Sequence, residues 1–279
     1  MEIVRTIQEF KQKRFQGNFY SRPGMVVIHD QVHLGVEEVI WKMIKSCDLR
    51  IVILVPNCNE TYQEWKFRTN LDTIKASLKI FNLDFLFIPD FEEKNYYEIN
   101  GFEITPNQNW AGLLEGSYIK DFAKLNLNLF LNLYNLVQPK HLFVGQKDYY
   151  LARLLSDLIY GFGIDLELHV VESARNQQGV LYTGCLDRLS DSDKPQAEAL
   201  NRTLEFIKRM IQNNKRDIEE LESLAKDFVS SFLGFRLKKI YFLNAFTLDP
   251  VVSLDCADPI LLAVMGQLGS EIFIDNIVI

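Results

Sequence analysis

The sequence predicts an α/β fold, a doubly wound, Rossmann-like parallel sheet followed by a second, smaller α+β domain at the C-terminus. Short apolar runs alternate with longer stretches of helical periodicity, which is the pattern of a parallel sheet covered by helices on both faces. After about residue 190 the sequence becomes polar, charge-rich and helical, and further strand-like runs follow. We therefore expect one domain over 1–189 and another over 190–279.

The strands of the larger sheet are predicted from five apolar runs, each short, as strands buried on both faces are. They are MVVI at 25–28, RIVILV at 50–55, DFLFI at 84–88, HLFV at 141–144 and LELHVV at 166–171. In the C-terminal domain the corresponding candidates are KKIYFL at 238–243, ILLAV at 260–264 and EIFI at 271–274.

Two helices are predicted between these strands from apolar residues at helical spacing. The first stripe consists of Val36, Val39, Ile40, Met43 and Ile44, which makes residues 25–55 a βαβ unit. The second consists of Leu151, Leu154, Leu155 and Leu158, between HLFV and LELHVV.

Composition narrows the class of protein and of ligand. The chain has 279 residues, 48% of them hydrophobic, and a net charge of −7 with no long basic run. This argues against nucleic acid and anionic membranes as partners and favours a small-molecule ligand. The N-terminus has no apolar signal core, so we expect a cytoplasmic protein. The four cysteines are scattered without a Cys-x-x-Cys pair, which suits reduced thiols.

Candidate ligand-binding residues follow two of the predicted strands. In open α/β sheets, ligands bind at the carboxyl ends of the strands, near helix N-termini that attract anions. His33 and Gly35 open the first helix, and Gly145, Lys147 and Asp148 follow HLFV. A lysine there can neutralise phosphate, and an aspartate can cap a helix or hold a polar ligand group.

These segments resemble the pantothenate synthetase (pantoate:β-alanine ligase) family of class I nucleotidyltransferases, and the resemblance covers the whole chain. It is carried by Leu114-Glu115-Gly116, by Asn135 to Pro139 leading into Gly145-Gln146-Lys147-Asp148, where the family has Gly-Glu-Lys-Asp, and by Ile274-Asp275-Asn276. Ala245-Phe246-Thr247-Leu248 resembles the family's Ala-Asp-Thr-Leu.

The chain departs from the family's motifs at several places. His33-Leu34-Gly35-Val36 keeps half of the family's His-x-Gly-His signature, and Ile119 to Ala123 replaces its Arg-Pro-Gly-His-Phe. Thr183 to Leu186 stands where the family has Ser-Ser-Arg-Asn, and Leu151 replaces a glutamine. Pro56 to Glu60 replaces its Asn-Pro-x-Gln-Phe.

The resemblance implies an ATP-dependent ligase that uses Mg²⁺, joins pantoate to β-alanine through a pantoyl-adenylate, and releases AMP and pyrophosphate. It implies catalytic roles for His33 and Lys147, and a homodimer in which the C-terminal domain is a lid. The residues expected to bind ATP or substrate are Gly35, Gly145, Asp148, Asn59, Arg175 and Arg188.

Other interpretations stay open. The departures are also typical of a catalytically inactive or regulatory relative, or of a ligase or nucleotidyltransferase with a different substrate. His29, Asp30 and His33 have a spacing that invites a metal hypothesis, but the glutamate-bearing helix of a zinc hydrolase is missing. We expect no metal site there.

Overall fold

The structure is a computed structural model that describes residues 1–15, 22–91, 94–98, 102–106, 110 and 112–279. The chain forms two compact units, Met1–Glu172 and Ser173–Ile279. The boundary predicted between 189 and 190 lies later in the chain than this division and stays a prediction. Within the described ranges, no helix combines the length and the apolar character that crossing a lipid bilayer requires.

The first unit alternates strands and helices. Its strands are β1 (Glu2–Val4), β2 (Pro23–Ile28), β3 (Leu49–Leu54), β4 (Phe85–Phe87), β5 (His141–Gly145) and β6 (Glu167–Val171). Its helices are α1 (Ile7–Phe15), α2 (Leu34–Ser46), α3 (Tyr62–Arg68), α4 (Leu71–Leu78), α5 (Phe122–Val137) and α6 (Tyr149–Phe162). Short 3₁₀ turns cover Lys79–Phe81, Leu114–Ser117 and Gln146–Asp148.

The described strands of the first unit form one sheet in the order β1-β4-β3-β2-β5-β6, with all neighbours parallel. The predicted doubly wound parallel sheet is therefore confirmed, and each of the five predicted runs lies on one of its strands. The chain runs outward from β2 through β3 to β4, then returns to place β5 on the other side of β2. That reversal makes the gap between β2 and β5 the topological switch point, where open α/β sheets bind ligands.

An additional strand, β1, lies at the edge of this sheet and pairs with β4. This strand was not predicted, because three residues are too few to show either alternation or an apolar run. Tertiary pairing with β4 decides its conformation instead.

Helix α2 packs against the sheet through the predicted apolar stripe, of which Val39, Ile40 and Met43 are buried. Helix α2 and β2 approach each other closely at Gly24, where an added Cβ would lie 2.6 Å from Cys47 Sγ and 2.8 Å from Met43 Cγ. Only glycine fits under the end of the helix without a shift in these neighbours. The contact fixes α2 over β2 and so positions the helix start that follows His33.

The second unit contains three antiparallel strands within the described ranges, β7 (Phe235–Asn244), β8 (Ile260–Leu268) and β9 (Glu271–Val278). Its helices are α7 (Gly184–Arg188), α8 (Glu198–Gln212) and α9 (Ile218–Val229), with a 3₁₀ turn at Lys194–Ala197. Buried residues of α8, α9 and the strands share one hydrophobic core. The predicted small α+β character of this region is confirmed, and its strands extend beyond the predicted runs.

Candidate functional site

The carboxyl ends of β3, β2 and β5 lie at one edge of the first unit's sheet. Ile28 pairs with Leu54, and Val26 pairs with Phe143 on the other side. Continuing the second register by two residues places Ile28 level with Gly145. The segments that follow these strands therefore leave the sheet side by side, at its switch point.

His33 is the N-cap of α2, with φ −91° and ψ 168°. Its carbonyl accepts hydrogen bonds from the backbone N–H groups of Val36 (2.8 Å) and Glu37 (3.0 Å). Leu34 and Gly35 precede these two residues in the first turn, and the first N–H groups of a helix point outward without a partner in the helix. This arrangement is the one expected of a phosphate-binding helix start. The role predicted for His33 and Gly35 nonetheless stays a prediction.

Lys147 and Asp148 lie at the same edge of the sheet, in the turn between β5 and α6. Lys147 Nζ donates a hydrogen bond to Asp148 Oδ1 over 2.8 Å, and its side chain is 34% exposed. Gly145 precedes them with φ −73° and ψ 144°, and an added Cβ would come no closer than 3.9 Å to Asp148 Oδ2. Lys147 is thus held by its neighbour but still reaches solvent.

Glu115, predicted from the sequence only as part of the Leu114-Glu115-Gly116 motif and without a role of its own, is a further residue of this site. It lies in the Leu114–Ser117 turn and is only 8% exposed. Its Oε2 has no hydrogen-bond partner within the described part of the chain. Burial raises the pKa of Glu115 to about 7, although the charge of Lys147 lowers this pKa and that of Asp148 raises it further. In the sequence, the burial of this carboxyl was indicated only by the two leucines that precede Glu115 in LLEG.

The loop after β3 forms one wall of an open cavity of about 510 Å³. Its lining residues are Cys58, Asn59, Glu60, Thr61, Glu64, Tyr118, Ile119 and Lys120. The structure therefore brings Asn59 and Lys120 to a common cavity, although they are distant in sequence. Thr61 and Glu64 close the N-terminus of α3 with a reciprocal capping box, which fixes one side of the cavity.

Arg68 pairs with two carboxylates beside this cavity. The guanidinium of Arg68 donates to both carboxylate oxygens of Glu60, over 2.9 and 2.6 Å, and lies 3.7 Å from Asp30. Cys58 Sγ accepts a hydrogen bond from Asn126 Nδ2 over 3.4 Å. Burial is the main cause that raises the pKa of the Cys58 thiol to about 11, so this cavity presents a neutral thiol.

The ring of His29 contacts the loop that follows β3. Its Nδ1 lies 2.9 Å from the Pro56 carbonyl oxygen and 3.3 Å from that of Val55. Its own carbonyl accepts a hydrogen bond from Trp65 Nε1 over 2.7 Å. In the part of the chain that the structure describes, His29, Asp30 and His33 are not among the converging metal-ligating groups. His29 instead ties the end of β2 to the loop after β3.

Arg175 and Arg188 belong to the second unit and form ion pairs there. Arg175 pairs with Asp275 on β9, and Arg188 pairs with Glu271 over 2.8 Å. Arg188 also lies 3.1 Å from Cys185 Sγ. Their predicted roles in binding ATP stay predictions.

A family model described as Pantoate-beta-alanine ligase matches residues 2–278 of the chain. The pantothenate synthetase of Pseudothermotoga lettingae is 22% identical over 286 residues, which cover 100% of this chain and 99% of the relative. That of Saccharophagus degradans is 26% identical, over 91% of this chain and 89% of the relative.

Solved structures have the same fold. A pantothenate synthetase from Thermus thermophilus aligns with a TM-score of 0.86 and 20% identity, over 99% of both chains. A pantoate-beta-alanine ligase from Francisella tularensis, complexed with beta-gamma ATP and beta-alanine, aligns with a TM-score of 0.77 and 23% identity, over 99% of this chain and 97% of that one. The predicted family and nucleotidyltransferase-like fold are thus confirmed.

Proposed function

The chain belongs to the pantoate-beta-alanine ligase family, and from this membership we propose that it is an ATP-dependent ligase that condenses pantoate with β-alanine. The observation that carries the proposal is the position of Lys147 at the switch-point edge of the sheet, in the turn after β5, because α2 begins at the same edge after β2. A cation and a helix N-terminus at one edge provide what a bound triphosphate needs.

The proposed reaction has two steps. A carboxylate oxygen of pantoate forms a bond to the α-phosphorus of ATP, and the bond to pyrophosphate breaks. The amine of β-alanine then forms a bond to the acyl carbon, AMP leaves, and the nitrogen loses a proton. Negative charge builds on the phosphoryl oxygens in the first step, so Lys147 stabilises the transition state there. His33 and Gly35 position phosphate oxygens at the helix start.

The cavity beside β3 is the proposed site for the acid substrate. Among its described lining residues, Lys120 supplies the single positive charge, which suits a small carboxylate, and Asn59 and Tyr118 can hydrogen-bond hydroxyl groups. Ile119 provides an apolar surface. The lining also contains two carboxylates: Arg68 pairs with both oxygens of Glu60, and Glu64 Oε2 accepts hydrogen bonds from the backbone N–H and the hydroxyl of Thr61.

Asp148 is the residue proposed to hold the Mg²⁺ that accompanies ATP. Its carboxylate is 46% exposed beside Lys147, and Mg²⁺ prefers carboxylate, water and phosphate oxygens. The ion, when bound, neutralises charge on the phosphates. Gly145 leaves room next to the Asp148 carboxylate.

Homodimerisation is proposed from the family resemblance alone, and analytical ultracentrifugation tests it.

A second candidate function is a relative that binds nucleotide without catalysing ligation. The observation that favours it is Val36, an aliphatic side chain in the first turn of α2 where the family's signature has a second histidine. Loss of one donor to a developing oxyanion commonly costs about 10² to 10³ in rate. Binding, which also uses backbone N–H groups, survives such a loss better than catalysis does.

The experiment combines the chain with ATP, Mg²⁺, pantoate and β-alanine and measures AMP and pyrophosphate. We expect release that depends on both substrates and falls about 10² to 10³-fold in Lys147→Ala. Lys140→Ala is the matched control, because it removes the same charge at the opposite edge, where Lys140 pairs with Asp165.

Thermal-shift titration with ATP separates the two functions. A stability increase with ATP but no AMP supports the binding relative. Absence of both AMP and a shift contradicts both proposals.

A further inference from the structure

Three potential metal ligands converge on β5 and β6, at the end of the sheet opposite the proposed ATP site. His141 is the first residue of β5, and Glu167 and His169 lie at the start of β6. In the parallel register His141 pairs with Glu167, and Phe143 pairs with His169. Side chains alternate between faces along a strand, so all three ligands share one face of the sheet.

The ligand atoms have the separations of a metal site. His141 Nδ1 lies 3.0 Å from His169 Nε2 and 3.4 Å from Glu167 Oε2, and His169 Nε2 lies 3.6 Å from Glu167 Oε1. Zinc bonds of about 2.05 Å in tetrahedral geometry put neighbouring ligands about 3.3 Å apart. The observed separations, which involve both oxygens of Glu167, are therefore close to those of ligands around a single ion. Within the described ranges, no other group of three or more side chains converges in this way.

We propose that His141, Glu167 and His169 bind a divalent transition-metal ion of the zinc type. Two imidazoles and one carboxylate are a donor set that such ions prefer, whereas Mg²⁺ prefers oxygen alone. The side chains of His141 and His169 are 16% and 21% exposed, and that of Glu167 is 65% exposed. The site therefore opens to solvent on one side, where water completes the coordination.

Packing holds the imidazoles in place before the ion binds. The ring of His169 stacks on Phe143 with centroids 4.5 Å apart and planes 11° from parallel. The ring of His141 lies next to both, with its centroid 5.2 Å from that of His169. An arrangement fixed by neighbours loses less conformational freedom on binding.

The ion replaces a hydrogen bond between the two imidazoles. One of the facing nitrogens carries the bridging proton in the metal-free protein, so binding moves this proton to the other nitrogen of the same ring through solvent. Both rings then remain neutral and direct a lone pair at the ion.

Titration of the untagged chain with Zn²⁺ and with Co²⁺ tests the site. We expect calorimetry to show one Zn²⁺ bound per chain. We expect bound Co²⁺ to give the visible absorption of tetrahedral coordination, and Zn²⁺, but not Mg²⁺, to displace this Co²⁺. Glu167→Gln changes an exposed residue and should weaken Zn²⁺ binding by more than about tenfold. His169→Gln should abolish the Co²⁺ spectrum. Zn²⁺ should also raise the melting temperature of the original chain.

Glu172→Gln is the matched control, because it removes another exposed carboxylate that immediately follows β6. Equal binding by the original chain and both ligand variants would overturn the proposal. A Co²⁺ spectrum typical of octahedral coordination would do the same, as would a loss of affinity in Glu172→Gln equal to that in Glu167→Gln. None of these readouts depends on ligase activity.

Discussion

Arg175 and Asp275 form a two-pronged ion pair, in which two guanidinium nitrogens lie 2.7 and 2.8 Å from the two carboxylate oxygens. Asp275 is 2% exposed. Arg175 also donates to the Gly179 carbonyl over 3.0 Å and to Asn201 Oδ1 over 3.2 Å. The pair therefore ties the beginning of the second unit to β9 near its end, and most of the donor capacity of Arg175 is used within this unit.

Arg175→Ala should lower the free energy of unfolding by about 3 to 5 kcal/mol, because it leaves the buried Asp275 carboxylate without its partner. The matched control is Arg188→Ala, which removes a more exposed pair with Glu271 and should cost no more than about 1 kcal/mol. Urea denaturation of both variants measures the difference. Equal losses would show that burial does not distinguish the two pairs.

Glu115→Gln should change how stability depends on pH. The pKa of this carboxyl rises from 4.5 to about 7 on folding, mainly because of burial. From about pH 4.5 to 7 the unfolded chain loses the proton first, so stability falls as pH rises, by on the order of 3 kcal/mol in all. Below pH 4.5 both states hold the proton, and the penalty disappears.

The measurement is chemical denaturation at pH 4.5, 6 and 7.5, as the difference between the original chain and Glu115→Gln. The variant should gain stability relative to the original chain as pH rises. Glu172→Gln, at an exposed position, serves as the control and should give a nearly constant difference. A constant difference for Glu115→Gln as well would contradict the raised pKa.

The sheet could be predicted from short stretches of sequence, because a buried parallel strand appears as an apolar run and an amphipathic helix as apolar residues at helical spacing. Val39, Ile40 and Met43 recur at the helical period, and the structure buries all three. The same reasoning placed Lys147 and Asp148 after β5, because strand ends are visible in sequence. β1 was missed because its pairing with β4 depends on residues more than eighty positions away.

Relationships across strands could not be predicted in this way. The group of His141, Glu167 and His169 depends on the register between β5 and β6, which the intervening helix hides from the sequence. The burial of Glu115 likewise depends on tertiary packing. Arg175 was selected for its charge alone, and its contact with Asp275 lies a hundred residues away.

Gly24→Ala should destabilise the chain, because the new methyl group would lie 2.6 Å from Cys47 Sγ and 2.8 Å from Met43 Cγ. Overpacking of this kind typically costs about 1 to 3 kcal/mol. The double variant Gly24→Ala/Cys47→Ala lacks the sulfur that the new methyl group would overlap. Its loss of stability should therefore be smaller than the sum of the losses in the two single variants. Thermal and urea denaturation of the four proteins in this cycle measure the coupling.

Gly161→Ala is the matched control for the same substitution in open space. Gly161 lies in α6, and no atom outside its own helix backbone would come within 4 Å of the added Cβ. It should stabilise the chain by about 0.5 to 1 kcal/mol, because alanine favours the helix. The opposite signs at the two positions separate steric overlap from backbone preference. If Gly24→Ala also stabilised the chain, α2 would have room to move away from β2, and the close approach would not fix the helix start at His33.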